Sequence, residues 1–378
     1  MAIGLYLHVP FCIRKCNYCS FVSAPREDEL VAAYLKALGR EIEIYSRSLA
    51  PENKAVDSIY IGGGTPTCLS GGELAEILER IFSYFNVPGT AEITVEANPG
   101  TVDPEKLKTL NKLGVNRLSM GIQACQPELL GLLGRIHSWD TAADSFGQAR
   151  RAGFDNINVD LIFGIPGQDP GQWHRCLEKV AGLNPDHISA YGLQVEEGTP
   201  LYERVKSGEL DPCNEDLEAD MFGDLIDTLA GLGYVHYEIS NFARPGSFCR
   251  HNLRYWQNLS YLGLGPAAHS YLEGWRFANH DGLERYAGEL AADSLPVCRR
   301  ERIDQVTEMS ETVFLGLRLV EGLAERTFRE RFGKAVDNVY PDQIARLTGL
   351  GLLERSGGRL RLTRRGLMLG NVVFSEFV

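Results

Sequence analysis

The chain has no apolar run approaching the roughly 20 residues that a membrane-spanning helix needs. Its opening stretch, MAIGLYLHVPFC, lacks the basic segment followed by an apolar one that marks an export signal. Together these absences predict a cytoplasmic protein without a transmembrane segment. Basic charge is also in the minority: 38 Lys plus Arg stand against 50 Asp plus Glu, a formal net charge of −12 over 378 residues. That excludes broad, non-specific nucleic-acid binding as the main business of the chain. In a reducing cytoplasm the nine cysteines do not form a disulfide framework. Six of them (Cys68, Cys125, Cys176, Cys213, Cys249, Cys298) are scattered like small buried hydrophobes. Only Cys12, Cys16 and Cys19 cluster.

The cluster lacks a fourth cysteine. CIRKCNYCSF has a C-x3-C-x2-C spacing with Phe21 two places after the last thiol. Thiolates suit zinc or an iron–sulfur centre. A structural zinc site closes at four ligands, and His8 is the candidate for the fourth. Against zinc, the paired-knuckle spacing of zinc ribbons is missing and His8 falls within a strand. A [4Fe–4S] cluster on three cysteines leaves one iron open for a further ligand, and this is the preferred reading. Accidental clustering of core cysteines is disfavoured by Arg14, Lys15 and Asn17, which make the loop polar.

Along the first half, short strands alternate with amphipathic helices. Strands are predicted at Leu5–Val9, Ser58–Gly62, Glu92–Glu96, Arg117–Gly121, Asn156–Phe163 and His187–Leu193, and helices include Glu29–Tyr45, Gly72–Tyr84, Pro104–Leu113 and Thr141–Ala152. This spacing predicts an α/β fold with a parallel sheet. Six units are too few for a closed eight-stranded barrel, so an open, partial (βα)6 barrel of the TIM type is expected, with its site at the C-terminal ends of the strands. Residues 1–200 form this core. Residues 201–293 read as an extension, with a helix at Leu217–Leu232 and an aromatic-rich stretch, Tyr234–Pro266, that has no clear period. Residues 294–378 read as a smaller helical, winged-helix-like domain. It has helices near Glu308–Leu319, Thr327–Phe332 and Asp342–Leu347, then RSGGRLRLTRRG as a hairpin turning at Gly357-Gly358. Arg359, Arg361, Arg364 and Arg365 are read as a solvated face rather than a nucleic-acid site.

Other polar residues fall at strand ends. Gly62-Gly63-Gly64-Thr65-Pro66 follows one strand, where glycines permit close approach of a ligand and offer N–H groups to a carboxylate. Taken alone, a triple glycine is a tight turn. Glu96 ends the next strand, placed to accept hydrogen bonds from ribose hydroxyls. Gln123, Arg135 and Asp160 follow at or just after later strand ends. Each singly reads as a loop residue, but together they suggest one lined site.

The ordered set YLHVPFCIRKCNYC, IYIGGGTPT, ITVEANPG, SMGIQ, GRIH and NVDLIFGIPGQ resembles the radical S-adenosylmethionine (SAM) proteins. Within them it resembles the branch containing the oxygen-independent coproporphyrinogen III dehydrogenases. The likeness runs from Tyr6 to about Leu193 and extends through YEISNFA and YLGLGPAAHS. It implies a [4Fe–4S] cluster on Cys12, Cys16 and Cys19, with SAM chelating the open iron. It also implies a SAM site lined by Tyr6, Tyr18, Gly63, Gly64, Thr65, Glu96, Gln123, Arg135 and Asp160. One electron from the cluster, supplied by an electron donor, cleaves SAM to a 5′-deoxyadenosyl radical in such proteins.

Three details pull away from the dehydrogenases. They resemble one another in a further cysteine where this chain has Phe21, which ligates nothing. They carry an additional N-terminal segment, whereas five residues precede Tyr6 here. And HNLRYW, His251 to Trp256, resembles the HNxxYW motif of HemW-type haem chaperones. Imidazole is a common axial ligand of haem iron. On a helix His251 and Tyr255 share a face, with Trp256 offering a flat apolar surface. An isolated HNxxYW is more simply an aromatic cluster with a hydrogen-bonded histidine, and Cys249 is a rival ligand. The role of His269 is open. The resemblance therefore implies a haem chaperone that binds the cluster, SAM and haem and hands haem to acceptor haemoproteins; if those acceptors are respiratory, peripheral membrane contact is compatible with that role. The alternative is the dehydrogenase, which decarboxylates two propionates of coproporphyrinogen III. Whether the chain is an enzyme is left open.

Overall fold

The computed structural model describes residues 2–378, the Glu52 side chain excepted. The first 200 residues alternate strand and helix, as their periodicity predicts. The strands are β1 (Ile3–Val9), the two-residue β2 (Phe11–Cys12) and β3 (Ala24–Pro25), then β4 (Val56–Gly63), β5 (Glu92–Ala97), β6 (Arg117–Gln123), β7 (Ile157–Phe163) and β8 (His187–Gly192). The helices are α1 (Asp28–Ser48), α2 (Gly71–Tyr84), α3 (Pro104–Lys112), α4 (Pro127–Leu133), α5 (Trp139–Arg151) and α6 (Pro170–Gly182). Sharp helix starts are written into the chain. Ser70 with Glu73, and Asp169 with Gln172, form reciprocal capping boxes at α2 and α6.

Strands β1, β4, β5, β6, β7 and β8 lie side by side in that order, each pair parallel. The stretch without clear period continues the same sheet at both margins. Beyond α7 (Pro200–Lys206) and α8 (Glu215–Gly231), β9 (Val235–Glu238) and β10 (Asn241–Ala243) add antiparallel strands outside β8. After α9 (Arg250–Trp256), β11 (Tyr261–Leu264) pairs parallel with β1. The antiparallel β12 (His269–Leu272), β13 (Trp275–Asn279) and β14 (Val297–Arg302) follow outside it. The order runs from β14 to β9 and does not close. This is the open sheet expected of a partial barrel.

Alternation along the central strands sorts two faces. Ile59, Ile61, Ile93, Val95, Leu118, Met120, Val159, Leu161 and Ile188 join one buried core with Leu74, Ile77, Leu107, Leu110, Trp173 and Leu177 of the helices. The other face is polar yet equally buried: Ser58, Thr94, Arg117, Ser119, Asn158, His187 and Ser189 are all nearly inaccessible. Parallel strands buried on both faces ordinarily read as continuous apolar runs. Here the inner face is a hydrogen-bonded network, in which Asn158 donates to Ser119 and Asp160 (2.7 Å each) and accepts from Ser189 (3.1 Å).

A second core, from Met309 to Phe377, packs Val313, Leu317, Phe328, Ile344, Leu347, Leu360 and Val373. Its small sheet is ordered β15 (Leu323–Ala324), β17 (Arg359–Leu362), β16 (Leu353–Ser356). The hairpin turns at Gly357 (φ 57°) and Gly358 (φ 74°), left-handed at both positions as a two-residue turn of this hand demands. Its arginines are paired within the chain. Arg364 grips Asp227 of α8 with two bonds (2.7 and 2.6 Å), Arg361 meets Glu354 (2.7 Å), and Arg359 meets Glu321 (3.2 Å). Arg365 donates to the Leu350 carbonyl (3.0 Å).

The β11–β12 corner, part of YLGLGPAAHS, is tied to α1 by a buried carboxylate. Glu41 accepts from the Gly265 N–H (2.7 Å), Asn279 Nδ2 (2.6 Å) and the Tyr286 hydroxyl (2.6 Å). Burial pushes its carboxyl up to about 7, against the pull of these donors. The folded chain thus holds a proton that the unfolded chain releases near pH ~4.3. Stability should fall as pH rises through the window from about 4.5 to 7, by up to ~3 kcal/mol for this group. Urea unfolding at pH 5 and 7.5 should show a larger loss for the native chain than for Glu41→Gln.

Candidate functional site

The C-terminal ends of β4 to β8 and the cysteine loop surround one cavity of about 420 Å3. Five neighbouring strands span about 20 Å of a flat sheet. Their ends reach a common cavity because the sheet is curved.

The cysteine loop is held by residues other than cysteine. β2 and β3 pair across its base, Phe11 with Ala24 and Cys12 with Pro25. Asn17 pins the middle: its backbone N–H and Nδ2 donate to the carbonyls of Leu133 and Leu132 at the end of α4 (2.9 Å each), and its carbonyl accepts from Leu201 N–H (2.9 Å). Cys12 is buried, while Cys16 and Cys19 are half-buried. The Thr65 hydroxyl donates to Cys12 Sγ at 3.5 Å and Arg135 Nη1 to Cys16 Sγ at 3.4 Å. Burial pushes the Cys19 thiol up. Gly64 is the close approach: a Cβ there would stand 2.4 Å from the Phe11 carbonyl oxygen and 3.0 Å from Cys12 Sγ. The N–H groups of the glycine turn are not free for a ligand, contrary to the expectation above. Gly63 donates to Glu96 (3.2 Å), Gly64 to the Val9 carbonyl and Thr65 to the Phe11 carbonyl (2.9 and 2.7 Å), because the turn must first bind the cysteine loop to β4.

Across the cavity stand two carboxylates. Glu96 accepts from the Tyr60 hydroxyl (2.9 Å) and the Gly63 N–H, and burial, with Asp160 as a like charge, pushes it up to about 7. Asp160 is raised by burial and held back by Asn158 and Ser119, which donate to it. Below them Arg117, 2% exposed, supplies the compensating positive charge to this interior. Gln123 sits at an irregularity of the β6–β7 register with φ 70°, a left-handed backbone rare outside glycine and concentrated at functional sites. Arg135 Nη2 donates to Asn98 Oδ1 (2.7 Å) and to the Gly121 carbonyl (2.5 Å), which aims its other arm at Cys16.

Cys12, Cys16, Cys19, Tyr18, Gly63, Gly64, Thr65, Glu96, Gln123, Arg135 and Asp160 all line this cavity. Tyr6 stands outside the lining, stacked on Tyr60 with centroids 6.3 Å apart, its hydroxyl 3.2 Å from His8 Nδ1. The other His8 nitrogen faces the Val22 carbonyl at 2.8 Å, so both its nitrogens are engaged away from the thiols. Sequence reasoning missed Tyr60, Ser119 and Tyr191 in the lining. Continuing the two-residue alternation outward, from Ser58 to Tyr60, Arg117 to Ser119 and Ser189 to Tyr191, is the signal that finds them.

His251 lies elsewhere. It is fully buried, with Nδ1 3.0 Å from Ser58 Oγ and Nε2 2.9 Å from the Tyr255 hydroxyl, its ring 5.4 Å from that of Tyr60. Burial, with Arg254 and Arg117 adding repulsion, lowers it to about 3, so it is a neutral imidazole with both nitrogens engaged. Glu92 fixes the start of α9 by accepting from the N–H groups of Arg250 and His251 (2.9 Å each). Cys249 is buried beside it, Sγ 3.6 Å from Glu92 Oε1. Trp256 is half-buried under the Arg318 guanidinium, 4.3 Å from its ring centre. His269 is exposed at the start of β12.

An open α/β sheet whose strand ends meet a three-cysteine loop defines a radical SAM protein. The model of the radical SAM superfamily matches residues 6–180, and that of the HemN C-terminal domain matches residues 303–369. Coproporphyrinogen III oxidase HemN of Escherichia coli superposes with a TM-score of 0.87 over 99% of this chain and 89% of its own, at 24% identity, a likeness of fold. Heme chaperone HemW of Bacillus subtilis is 36% identical over 375 residues, 99% of this chain and 98% of its own. Heme chaperone HemW of Mycobacterium tuberculosis is 37% identical over 374 residues, 98% of this chain and 93% of its own. The chain belongs to the HemW family. Membership in the radical SAM superfamily implies a [4Fe–4S] cluster and SAM. Among the described residues no helix is long and apolar enough to cross a membrane.

Gly64→Ala tests the cradle. The added Cβ must push the Phe11 carbonyl or the Cys12 thiol aside. Iron and sulfide retained after anaerobic reconstitution should drop about tenfold, roughly the effect of ~1.4 kcal/mol of lost cluster affinity. Far-UV circular dichroism should stay native.

Proposed function

We propose that this chain carries a [4Fe–4S] cluster on Cys12, Cys16 and Cys19, binds SAM in the adjoining cavity, and holds haem for delivery to acceptor haemoproteins. The observation that carries the cofactor half is the meeting of three thiols with the polar strand ends on one cavity. The residues fit the group: soft thiol donors, a backbone cradle that a Cβ would fill at Gly64, and a guanidinium aimed at Cys16. When bound, such a cluster supplies a single electron and an open iron that the amino and carboxylate groups of SAM chelate.

The chain's own part is placement and charge. Arg135 offsets thiolate charge at Cys16 while Asn98 and the Gly121 carbonyl hold it in register. Glu96, braced by Tyr60 and Gly63, is the acceptor we assign to ribose hydroxyls. Asp160, Gln123 and Tyr18 complete the wall. Phe21 stands at the mouth, 64% exposed, where the coproporphyrinogen dehydrogenases resemble one another in a cysteine; an apolar rim there favours a flat macrocycle over a thiol-dependent reaction.

The haem half rests on the likeness to the HemW proteins and on HNLRYW. His251 is the iron ligand we propose, with Cys249 its rival. The buried geometry adds a condition: the imidazole gives iron one nitrogen, so Nε2 must exchange its bond to Tyr255 while Nδ1 keeps its bond to Ser58, and haem binding requires Tyr255 and the α9 turn around it to move. Acceptor haemoproteins, an electron donor for the cluster and peripheral contact with a membrane belong to the same proposal, as does a cytoplasmic location.

Haem titration read at the Soret band is the test. Affinity should fall at least tenfold in His251→Ala, while Tyr255→Phe, which frees Nε2, should bind as well as the native chain or better. Unchanged binding by a folded His251→Ala removes it as ligand. In parallel, Cys16→Ala should lose the iron and brown colour of the reconstituted protein. Conversion of coproporphyrinogen III to protoporphyrinogen by the reconstituted, SAM-loaded chain would replace the chaperone reading with the dehydrogenase one.

A further inference from the structure

Two of the cysteines scattered along the sequence meet in space. Cys125, two residues beyond the end of β6, and Cys176, within α6, are 51 positions apart, and their Sγ atoms are 2.8 Å apart. Unbonded carbon atoms already rest at about 3.5–4.0 Å, and two sulfurs are larger. A disulfide bond measures about 2.05 Å. The two free thiols are in direct contact, within reach of a disulfide bond. Both residues are buried, at 3% and 1% exposure. Cys125 Sγ finds one other polar neighbour, the Cys176 carbonyl at 3.8 Å.

The surrounding bonds hold the approach in place. Gln126, next along the chain, donates from Nε2 to the Gln172 carbonyl of α6 (2.7 Å). Gln172 in turn donates from Nε2 to Glu128 of α4 (2.9 Å). The loop carrying Cys125 is thus fastened to the turn of α6 just before Cys176. Neither thiol belongs to the cavity lining.

We propose that Cys125 and Cys176 are a reversible disulfide pair, a modification site that locks the β6–α4 loop onto α6. The reaction takes a peroxide as oxidant. One thiolate attacks a peroxide oxygen, breaking the O–O bond and forming an S–O bond with release of hydroxide. The second thiolate attacks that sulfur, forms the S–S bond and releases the oxygen as a second hydroxide. The two protons given up by the thiols convert both hydroxides to water, so two thiols lose two electrons and one peroxide becomes two waters. The adjoining Cys176 sulfur and then burial push the Cys125 thiol up, which keeps the thiolate scarce and the oxidation slow. The lock lies between Gln123 and Arg135, the two cavity residues that flank this loop and α4, and it sets how freely they move.

The full-length chain is exposed to hydrogen peroxide, alkylated in denaturant, digested without reduction and read by mass spectrometry. A peptide joining Cys125 to Cys176, two hydrogens lighter than its separate halves and lost on adding dithiothreitol, is expected. Backbone hydrogen exchange over residues 124–133 should slow at least threefold on oxidation, and neither change should occur in Cys176→Ser or Cys125→Ala. Exposed Cys298 reports that the oxidant acted. Recovery of Cys125 and Cys176 as separately alkylated thiols while Cys298 is oxidised, or of Cys125 joined to another cysteine, overturns the pair. A joined pair with unchanged exchange overturns the lock.

Discussion

A charged interior is the constraint on which the rest of this structure depends. Arg117 and Glu92 lie buried in the middle of the curved sheet, with Glu96 and Asp160 beside them where this interior meets the cavity. Removing such charges from water costs several kcal/mol each unless partners and hydrogen bonds replace the lost hydration. The network of Ser119, Asn158, Ser189, Tyr60 and the backbone of α9 supplies such bonds to the carboxylates, whereas the Arg117 Nε has no hydrogen-bond partner among the described residues and only the surrounding negative charge balances it. It also orders the molecule. The polar face must point inward and the apolar face must meet the helices, so the strand ends converge and leave one open cavity where the network reaches the surface.

The cysteine loop is presented to that cavity without help from its thiols. Asn17, the β2–β3 pairing and the backbone N–H of Thr65 fasten it to α4, α7 and the glycine turn. A site whose ligands are held beforehand loses less conformational freedom when it is filled. This explains why Asn17, with a donor and an acceptor to spare, stands between Cys16 and Cys19. It also explains why the glycine turn has no N–H left for a ligand: its donors are what bind the loop to the barrel.

The two halves of the functional reading stand in different physical settings. The candidate SAM site is an open, lined cavity. The HNLRYW stretch is the lid of the charged interior: Glu92 holds its first turn, and His251 plugs the bottom of the sheet beside Ser58 and Tyr60. A histidine that completes a core can serve a metal only if the core opens, so any haem chemistry at this motif is coupled to motion of α9 against β4.

Much of this was legible in the residues. Strand–helix alternation over the first 200 residues, the open barrel, the three thiols and the strand-end polar groups all follow from periodicity and motif order, because those patterns record which face of an element is buried. Gln123 and Arg135 were recognised as candidates, but their roles were not, since a left-handed backbone and a bifurcated guanidinium depend on neighbours far along the chain. The strands β9 to β14 are not legible in the sequence because they are short segments at the margins of the sheet whose pairing partners, not their own periods, make them strands. The burial of His251 was equally invisible: its motif reads the same whether the imidazole faces solvent or Ser58, residues apart in sequence and adjacent only once β4 and α9 have packed. Cys125 and Cys176 looked like isolated hydrophobes for the same reason. The sequence by itself determined the order of elements and the chemistry available at the strand ends; only the tertiary structure decided which donors remained free, which histidine was enclosed and which thiols met, because those are properties of distance between residues that the chain's order does not encode.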